Sequence, residues 1–296
     1  MTKRILITGV SGFIGQYVLR EKPAGVQIVG AIRNAERWIS SPFYETIPLI
    51  SLDLAEHVAA QLKYQHFDVV IHAAAMAGLG ACQADAQTAE RVNALATAEL
   101  ARWCAVHNCR MIYLSTDIVF AGDRAPYSEK DTPRPINVYG QSKWHGEQAV
   151  QAELRDYVIA RIALSLGRGL GLSRNFLDWI LERLKNGRSI PLFSDEIRTP
   201  TAVFALSRRI WQIALSSATG IFHLSGNQRM DRLSLGRLIC RKTGINEQLL
   251  EPISIKDITG YPRPMDVSLK STRRLNGRSL QLQGIASYMD ALLKKN

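Results

Sequence analysis

Residues 3–15 read KRILITGVSGFIG, and this stretch restricts the chain more than any other. The apolar run Ile5 to Ile7 has the length of a buried strand, and a helix-like pattern follows from Phe13 towards Arg20. Between them Gly9, Gly12 and Gly15 recur every third residue. A strand that turns directly into a helix gathers free backbone N–H groups and the positive end of a helix dipole at one point. There Gly9 permits the tight turn, Gly12 lets a pyrophosphate approach the backbone, and Gly15 allows close helix–strand packing. Ser11, Phe13 and Ile14 complete the loop that such a pyrophosphate would meet. A glycine-rich turn that binds nothing shows the same spacing, but placement at the first strand favours the dinucleotide reading.

At 296 residues the chain holds one large or two moderate domains. No apolar run is long enough to span a bilayer, and the N-terminus begins a strand almost at once. No signal peptide or membrane association is expected, and the cytoplasm is the default. Cys82, Cys104, Cys109 and Cys240 lack CxxC spacing and histidine partners, so they read as reduced packing residues and no metal is expected. Lysine and arginine outnumber the acids 37 to 26, a formal charge of +11 that suggests an anionic partner. The basic residues are dispersed, with no groove-reading motif, which argues against nucleic acid. Small phosphorylated ligands account for the excess, and a solvated basic surface does so nearly as well.

After the first helix, residues 26–32 read as a second strand. An acidic residue at its end would select NAD, but Arg33, Asn34 and Arg37 stand there. Guanidinium pairs strongly with phosphate, so the 2′-phosphate of NADP is favoured, with NAD still allowed. Two solvated arginines are the alternative. A third strand over 47–52 leads to Asp53 and Leu54, where the carboxylate either bonds an adenine amino group or caps a helix from Ala55. The fourth strand, 68–72, runs into Ala73, Ala74 and Ala75. Such small residues either let a flat cofactor lie close or pack tightly for their own sake.

Residues 84–106 are helical by composition, and Asn93 within them is equally structural or functional in aspect. The fifth strand, 110–114, stops at Ser115, Thr116 and Asp117, where open α/β sheets bind ligands. The Gly- and Pro-rich segment 121–135 suits a substrate-side loop. Tyr139 and Lys143 are four apart on the next helix and share a face. A sixth strand follows at 157–163. This alternation implies an α/β fold, a Rossmann-like doubly wound parallel sheet, over 1–164. A smaller C-terminal lobe over 165–296 would bind substrate, with a strand near 221–224 returning to the main sheet. The segment 195–201 reads as a loop.

Thr116, Tyr139 and Lys143 suffice for carbonyl reduction beside a nicotinamide. Hydride arriving at a carbonyl carbon creates an alkoxide, which needs a proton and hydrogen bonds. A nearby ammonium stabilises a phenolate and so brings tyrosine towards neutral working pH. TGVSGFIG at 8–15, STD at 115–117 and YGQSK at 139–143 resemble the extended short-chain dehydrogenase/reductase superfamily. IYLSTDIVF, NVYGQSKWHGE, Asn175-Phe176, Pro200-Thr201 and Arg263-Pro264 are similar to the dTDP-4-dehydrorhamnose reductase family over nearly the whole chain.

The resemblance implies a Thr116/Tyr139/Lys143 catalytic triad, NADP(H) laid across the sheet and a nucleotide-sugar in the C-terminal lobe. Thr116, Asp117, Asn175, Arg198 and Arg263 fall on its substrate side. Two positions depart from that family: Leu164 stands where it usually has tryptophan, and Arg198 where it has glycine. Arg198 either meets a substrate phosphate or is a surface arginine. Competing readings are a nucleotide-sugar epimerase or dehydratase, and a non-catalytic NADP-binding regulatory subunit. A homodimer is left open.

Overall fold

A computed structural model of the chain describes residues 2–43, 45–171 and 175–294; the side chains of Arg37 and Ser40 lie outside that description. Strands Lys3–Thr8 (β1), Val26–Ile32 (β2), Leu49–Ser51 (β3), Val69–His72 (β4), Arg110–Thr116 (β5) and Tyr157–Ile162 (β6) come first. Among them lie helices Phe13–Arg20 (α1), Val58–Gln61 (α2), Leu79–Ala84 (α3), Ala86–Glu90 (α4), Ala96–Val106 (α5) and Val138–Glu153 (α6). Short strands Ser165–Leu166 (β7), Ile190–Phe193 (β8), Ile197–Arg198 (β9) and Thr201–Ala202 (β10) follow, with helices Phe176–Lys185 (α7) and Val203–Ala214 (α8). Next come Gly220–Leu224 (β11), Met230–Asp231 (β12), Arg232–Thr243 (α9), Leu250–Ile253 (β13) and Met289–Leu293 (α10).

Seven strands form one sheet in the order β11-β6-β5-β4-β1-β2-β3, every neighbour parallel. This is the doubly wound α/β sheet that the alternation of elements implies. Helices cover both faces, so the central strands are nearly continuous apolar runs. Val18 of α1 and Ile210 and Trp211 of α8 pack on one face. Val58 of α2, Leu100 and Trp103 of α5 and Val150 of α6 pack on the other. Successive strands are laid down to opposite sides of β1, which leaves a crevice where the carboxyl ends of β1 and β4 part.

A separate apolar cluster joins Leu177 and Ile180 of α7, Ile190 of β8, Ile239 of α9 and Met289 of α10, with Leu164 against it. Between it and the sheet, Ile118, Phe120 and Tyr127 pack on Val267 and Leu269, and Tyr139 and Trp144 border this patch. No helix among the described residues is long and apolar enough to cross a membrane.

Three local expectations are corrected. The helix expected without a break over 84–106 is interrupted: Asp85 caps α4 by accepting from Thr88 N–H, and a π-turn over Arg91–Leu95 joins α4 to α5. The helix expected from Ala55 begins at Val58. The segment 195–201 contains β9 and the first residue of β10, which pair with β12 and β7. Periodicity along the chain carries no record of such distant partners.

Candidate active site

At the end of β1 the chain turns with Gly9 at φ 67°, where a side chain is strained. A Cβ on Gly9 would also lie 2.6 Å from Ala74 N. Gly12 N–H closes the turn on Gly9 O at 2.9 Å. Gly15 lies behind it, where a Cβ would come within 2.9 Å of Val10 Cα. Beside the turn opens a cleft of ≈ 720 Å³ lined by Gly9, Ser11, Gly12, Arg33, Asn34, Leu54, Ala73, Ala74 and Ala75. Phe13, Ile14 and Gly15 occupy the first turn of α1 outside that lining, with the Phe13 ring edge-on to Tyr17. Asp53 is also outside it, and its Oδ1 accepts from Ala55 N–H at 2.9 Å in a local turn; it does not cap α2, whose N-cap is His57. Arg33 and Asn34 are exposed at the end of β2. The Arg37 side chain lies outside the described residues.

An oriented chain of hydrogen bonds fixes the floor of the cleft. The Thr97 hydroxyl donates to Asn93 O at 2.8 Å, so its oxygen accepts from His72 Nε2 at 3.1 Å. His72 Nδ1 then accepts from Thr8 Oγ1 at 2.6 Å, and Thr8 Oγ1 in turn accepts from Ala74 N–H at 3.2 Å. Burial, with Lys143 nearby, pushes His72 down to about 3, which keeps the ring neutral. Asn93, inside the π-turn, holds Met76 through Oδ1 (2.8 Å) and Nδ2 (3.0 Å) and donates to Ser142 Oγ at 3.0 Å. It thus ties the loop after β4 to α6. Composition gave no sign of this, because Asn93 finds these partners 17 and 49 residues away.

Thr116 ends β5; its hydroxyl donates to Asp117 Oδ1 at 3.1 Å and accepts from Ile118 N–H at 3.2 Å. Asn137 starts α6 by accepting from Gly140 N–H at 2.9 Å. That start packs Tyr139 against the Ile118 cluster, two residues past Thr116. Burial raises the Tyr139 phenol well above its ordinary value, against the expected lowering. The amine expected to lower it lies one turn on. Lys143 Nζ sits 4.0 Å over the Tyr113 ring, and burial pushes this amine down to about 7, only partly offset by Glu147. Tyr113 was not among the expected site residues; it sits in an ordinary apolar strand pattern.

The other sequence candidates meet on the far side of Thr116. Arg198 is 3 % exposed, which removes the surface-arginine alternative. Its Nη2 donates to Glu196 Oε1 at 3.1 Å, and its Nε lies 3.6 Å from Asp117 Oδ2. Glu196 also takes Arg263 at 2.6 Å and Arg232 at 2.7 Å. Burial alone would raise the Glu196 carboxyl, but the three arginines hold it down at about 2. Asp117, buried and facing only Arg198 closely, is raised.

Three guanidiniums against two carboxylates leave one positive charge in excess. Arg198 Nη1, Arg232 Nη1 and Arg263 Nε are buried without acceptors among the described residues. Asn175 is engaged elsewhere: its Oδ1 accepts from Asp178 N–H at 3.1 Å as the cap of α7. Glu196 and Arg232 were not among the expected site residues, since only the folded chain brings them beside Arg198 and Arg263.

The parallel sheet and its glycine turn are those of the extended short-chain dehydrogenase/reductase class. The chain belongs to the RmlD substrate binding domain family, whose model matches residues 3–292. It is 28% identical over 291 residues to dTDP-4-dehydrorhamnose reductase of Mycobacterium tuberculosis, covering 96% of this chain and 88% of that protein. It is 26% identical over 279 residues to methionine adenosyltransferase 2 subunit beta of Rattus norvegicus, covering 92% of this chain and 81% of that protein. A crystal structure of dTDP-4-dehydrorhamnose reductase from Bacillus anthracis in complex with NADP superposes with TM-score 0.85 at 25% identity, covering 99% of both chains.

Proposed function

We propose that this protein reduces a keto group on a nucleotide-linked sugar with NADPH, as dTDP-4-dehydrorhamnose reductase does. The observation that carries the reading is the packing of the start of α6, which holds Tyr139 and, one turn on, Lys143, against Ile118 just past Thr116 at the carboxyl end of β5. The cleft suits a dinucleotide: Gly9, Ser11 and Gly12 and the start of α1 would face its pyrophosphate, and Arg33 its 2′-phosphate. No carboxylate follows β2 to oppose that phosphate until Glu36. Residues 1–164 with β11 would form the cofactor half, and 165–296 most of the substrate half. There Arg198, Arg232 and Arg263 would face the sugar's diphosphate.

Bound NADPH supplies the hydride. Tyr139 gives its proton to the substrate oxygen as that oxygen gains charge. Thr116 turns its hydroxyl from Asp117 to the same oxygen and steadies it. Lys143 in its ammonium form steadies the Tyr139 phenolate as it forms, because each charge stabilises the other. A cytoplasmic enzyme acting as monomer or homodimer, without nucleic acid, is the setting this reading implies.

The test is NADPH oxidation against a panel of keto-sugar nucleotides. Tyr139→Phe should lower turnover by roughly 10²–10⁴ and leave NADPH affinity within about twofold. Undiminished turnover in that variant would refute the mechanism. NADPH consumed in proportion to product separates a reductase from an epimerase. The likeness to the methionine adenosyltransferase subunit favours one second reading, a regulatory subunit. Capture of a partner enzyme with no turnover of any keto sugar would support it.

A further inference from the structure

One buried polar group on α6 has no part in the chemistry above. Ser115, Arg161 and His223 stand side by side across β5, β6 and β11, each the penultimate residue of its strand. All three are at most 2 % exposed, in a sheet whose other central side chains are mostly apolar. Glu147 of α6, 1 % exposed, closes on this row. Its Oε1 accepts from Ser115 Oγ at 2.5 Å and from Arg161 Nε at 3.0 Å, and its Oε2 accepts from Arg161 Nη2 at 2.7 Å. Arg161 Nη1 reaches His223 Nε2 at 3.5 Å, and His223 Nδ1 donates to Tyr127 O at 3.1 Å.

The position of this clasp matters. Tyr139, Lys143 and Glu147 recur every four residues and share one face of α6. On β5, Tyr113 and Ser115 are two apart and share one face of the strand. Lys143 rests on the Tyr113 ring, whose hydroxyl also donates to Lys143 O at 3.3 Å. Gly146 admits this approach, since a Cβ there would lie 3.0 Å from Tyr113 Cζ. Strand and helix are therefore pinned at two heights, Tyr113 with Lys143 and Ser115 with Glu147. Thr116 is the next residue along the strand.

We propose that Glu147 is a positioning residue: by gripping Ser115 and Arg161 it sets the height at which α6 presents Tyr139 and Lys143 to Thr116. The inference rests on the reductase reading of those three residues. Apolar helix–sheet contacts alone are non-directional and tolerate small slides. A hydrogen-bonded carboxylate does not, and a buried ion pair contributes a defined geometry more dependably than it contributes stability.

The mildest test is Ser115→Ala, because Arg161 still satisfies Glu147 in that variant. The expected result is a kcat about tenfold lower, with KM for NADPH and melting temperature little changed, and recovery in Ser115→Thr. Glu147→Gln, which keeps the shape and loses the charge, should lower kcat further. A lowered melting temperature with wild-type kcat in both variants would overturn the proposal and leave the clasp merely structural. Crystal structures of wild type and Ser115→Ala supply an arm that needs no turnover. The Thr116 Oγ1–Tyr139 Oη separation should change by about 0.5 Å or more, and an unchanged separation also overturns the proposal. If the wild type reduces no keto-sugar nucleotide, the reductase reading fails on its own, and the crystallographic comparison still decides the clasp.

Discussion

Gly9→Ala and Gly12→Ala, two single-methyl additions three residues apart, should damage the protein in opposite ways. At Gly9 the added Cβ would lie 2.6 Å from Ala74 N and 2.7 Å from Ala74 Cα, with φ at 67°. Both contacts are backbone, so no rotamer change relieves them. The left-handed conformation costs about 1–2 kcal/mol and the overpacking about 1–3 kcal/mol, roughly 2–5 kcal/mol together. At about 2 °C per kcal/mol for a chain of this size, melting should fall by roughly 4–10 °C. At Gly12 the only neighbour within 4 Å of an added Cβ among the described residues is Gly9 O at 3.1 Å, and φ is −77°. That methyl projects where a pyrophosphate would approach. Stability should stay within about 1 kcal/mol of wild type while NADPH affinity falls at least about tenfold. Thermal unfolding with and without NADPH, with titration of the cofactor, measures both. Equal melting of wild type and Gly9→Ala would refute the close packing of this turn on Ala74. Full NADPH affinity in Gly12→Ala would remove the turn from the binding site.

Further outcomes follow from the same geometry. Arg33→Ala should raise KM for NADPH by about tenfold or more and leave KM for NADH within about twofold; equal changes would exclude a 2′-phosphate contact. Glu196→Ala leaves three buried arginines facing only Asp117 and should cost about 3–5 kcal/mol of unfolding free energy, read by denaturant titration. His72 takes no proton in the fold until about pH 3, whereas the unfolded chain takes one near 6.5. Between those values the unfolded state holds the extra proton, so its contribution falls by about 1.4 kcal/mol per unit as pH drops. In His72→Gln the dependence of stability on pH should be shallower by one proton over that window, and an identical slope would contradict a neutral His72.

What the sequence determined by itself was everything encoded within a few residues. The strand–glycine–helix unit at 3–15, the alternation of strands and helices, and the four-residue spacing of Tyr139 and Lys143 are all of this kind, because φ/ψ preference and periodicity act locally. The folded chain decided what depends on distant neighbours. Glu196 meets Arg232 36 residues away and Arg263 67 residues away, and no local pattern marks those pairs. Asn93 is buried within a π-turn in a stretch whose composition reads as ordinary helix. Lys143 was expected to lower Tyr139, but it is seated on Tyr113, and burial then moves the two groups in opposite directions. Residue type and spacing name the groups available for chemistry; their ionisation is set by desolvation and by charges that only the packed interior brings near.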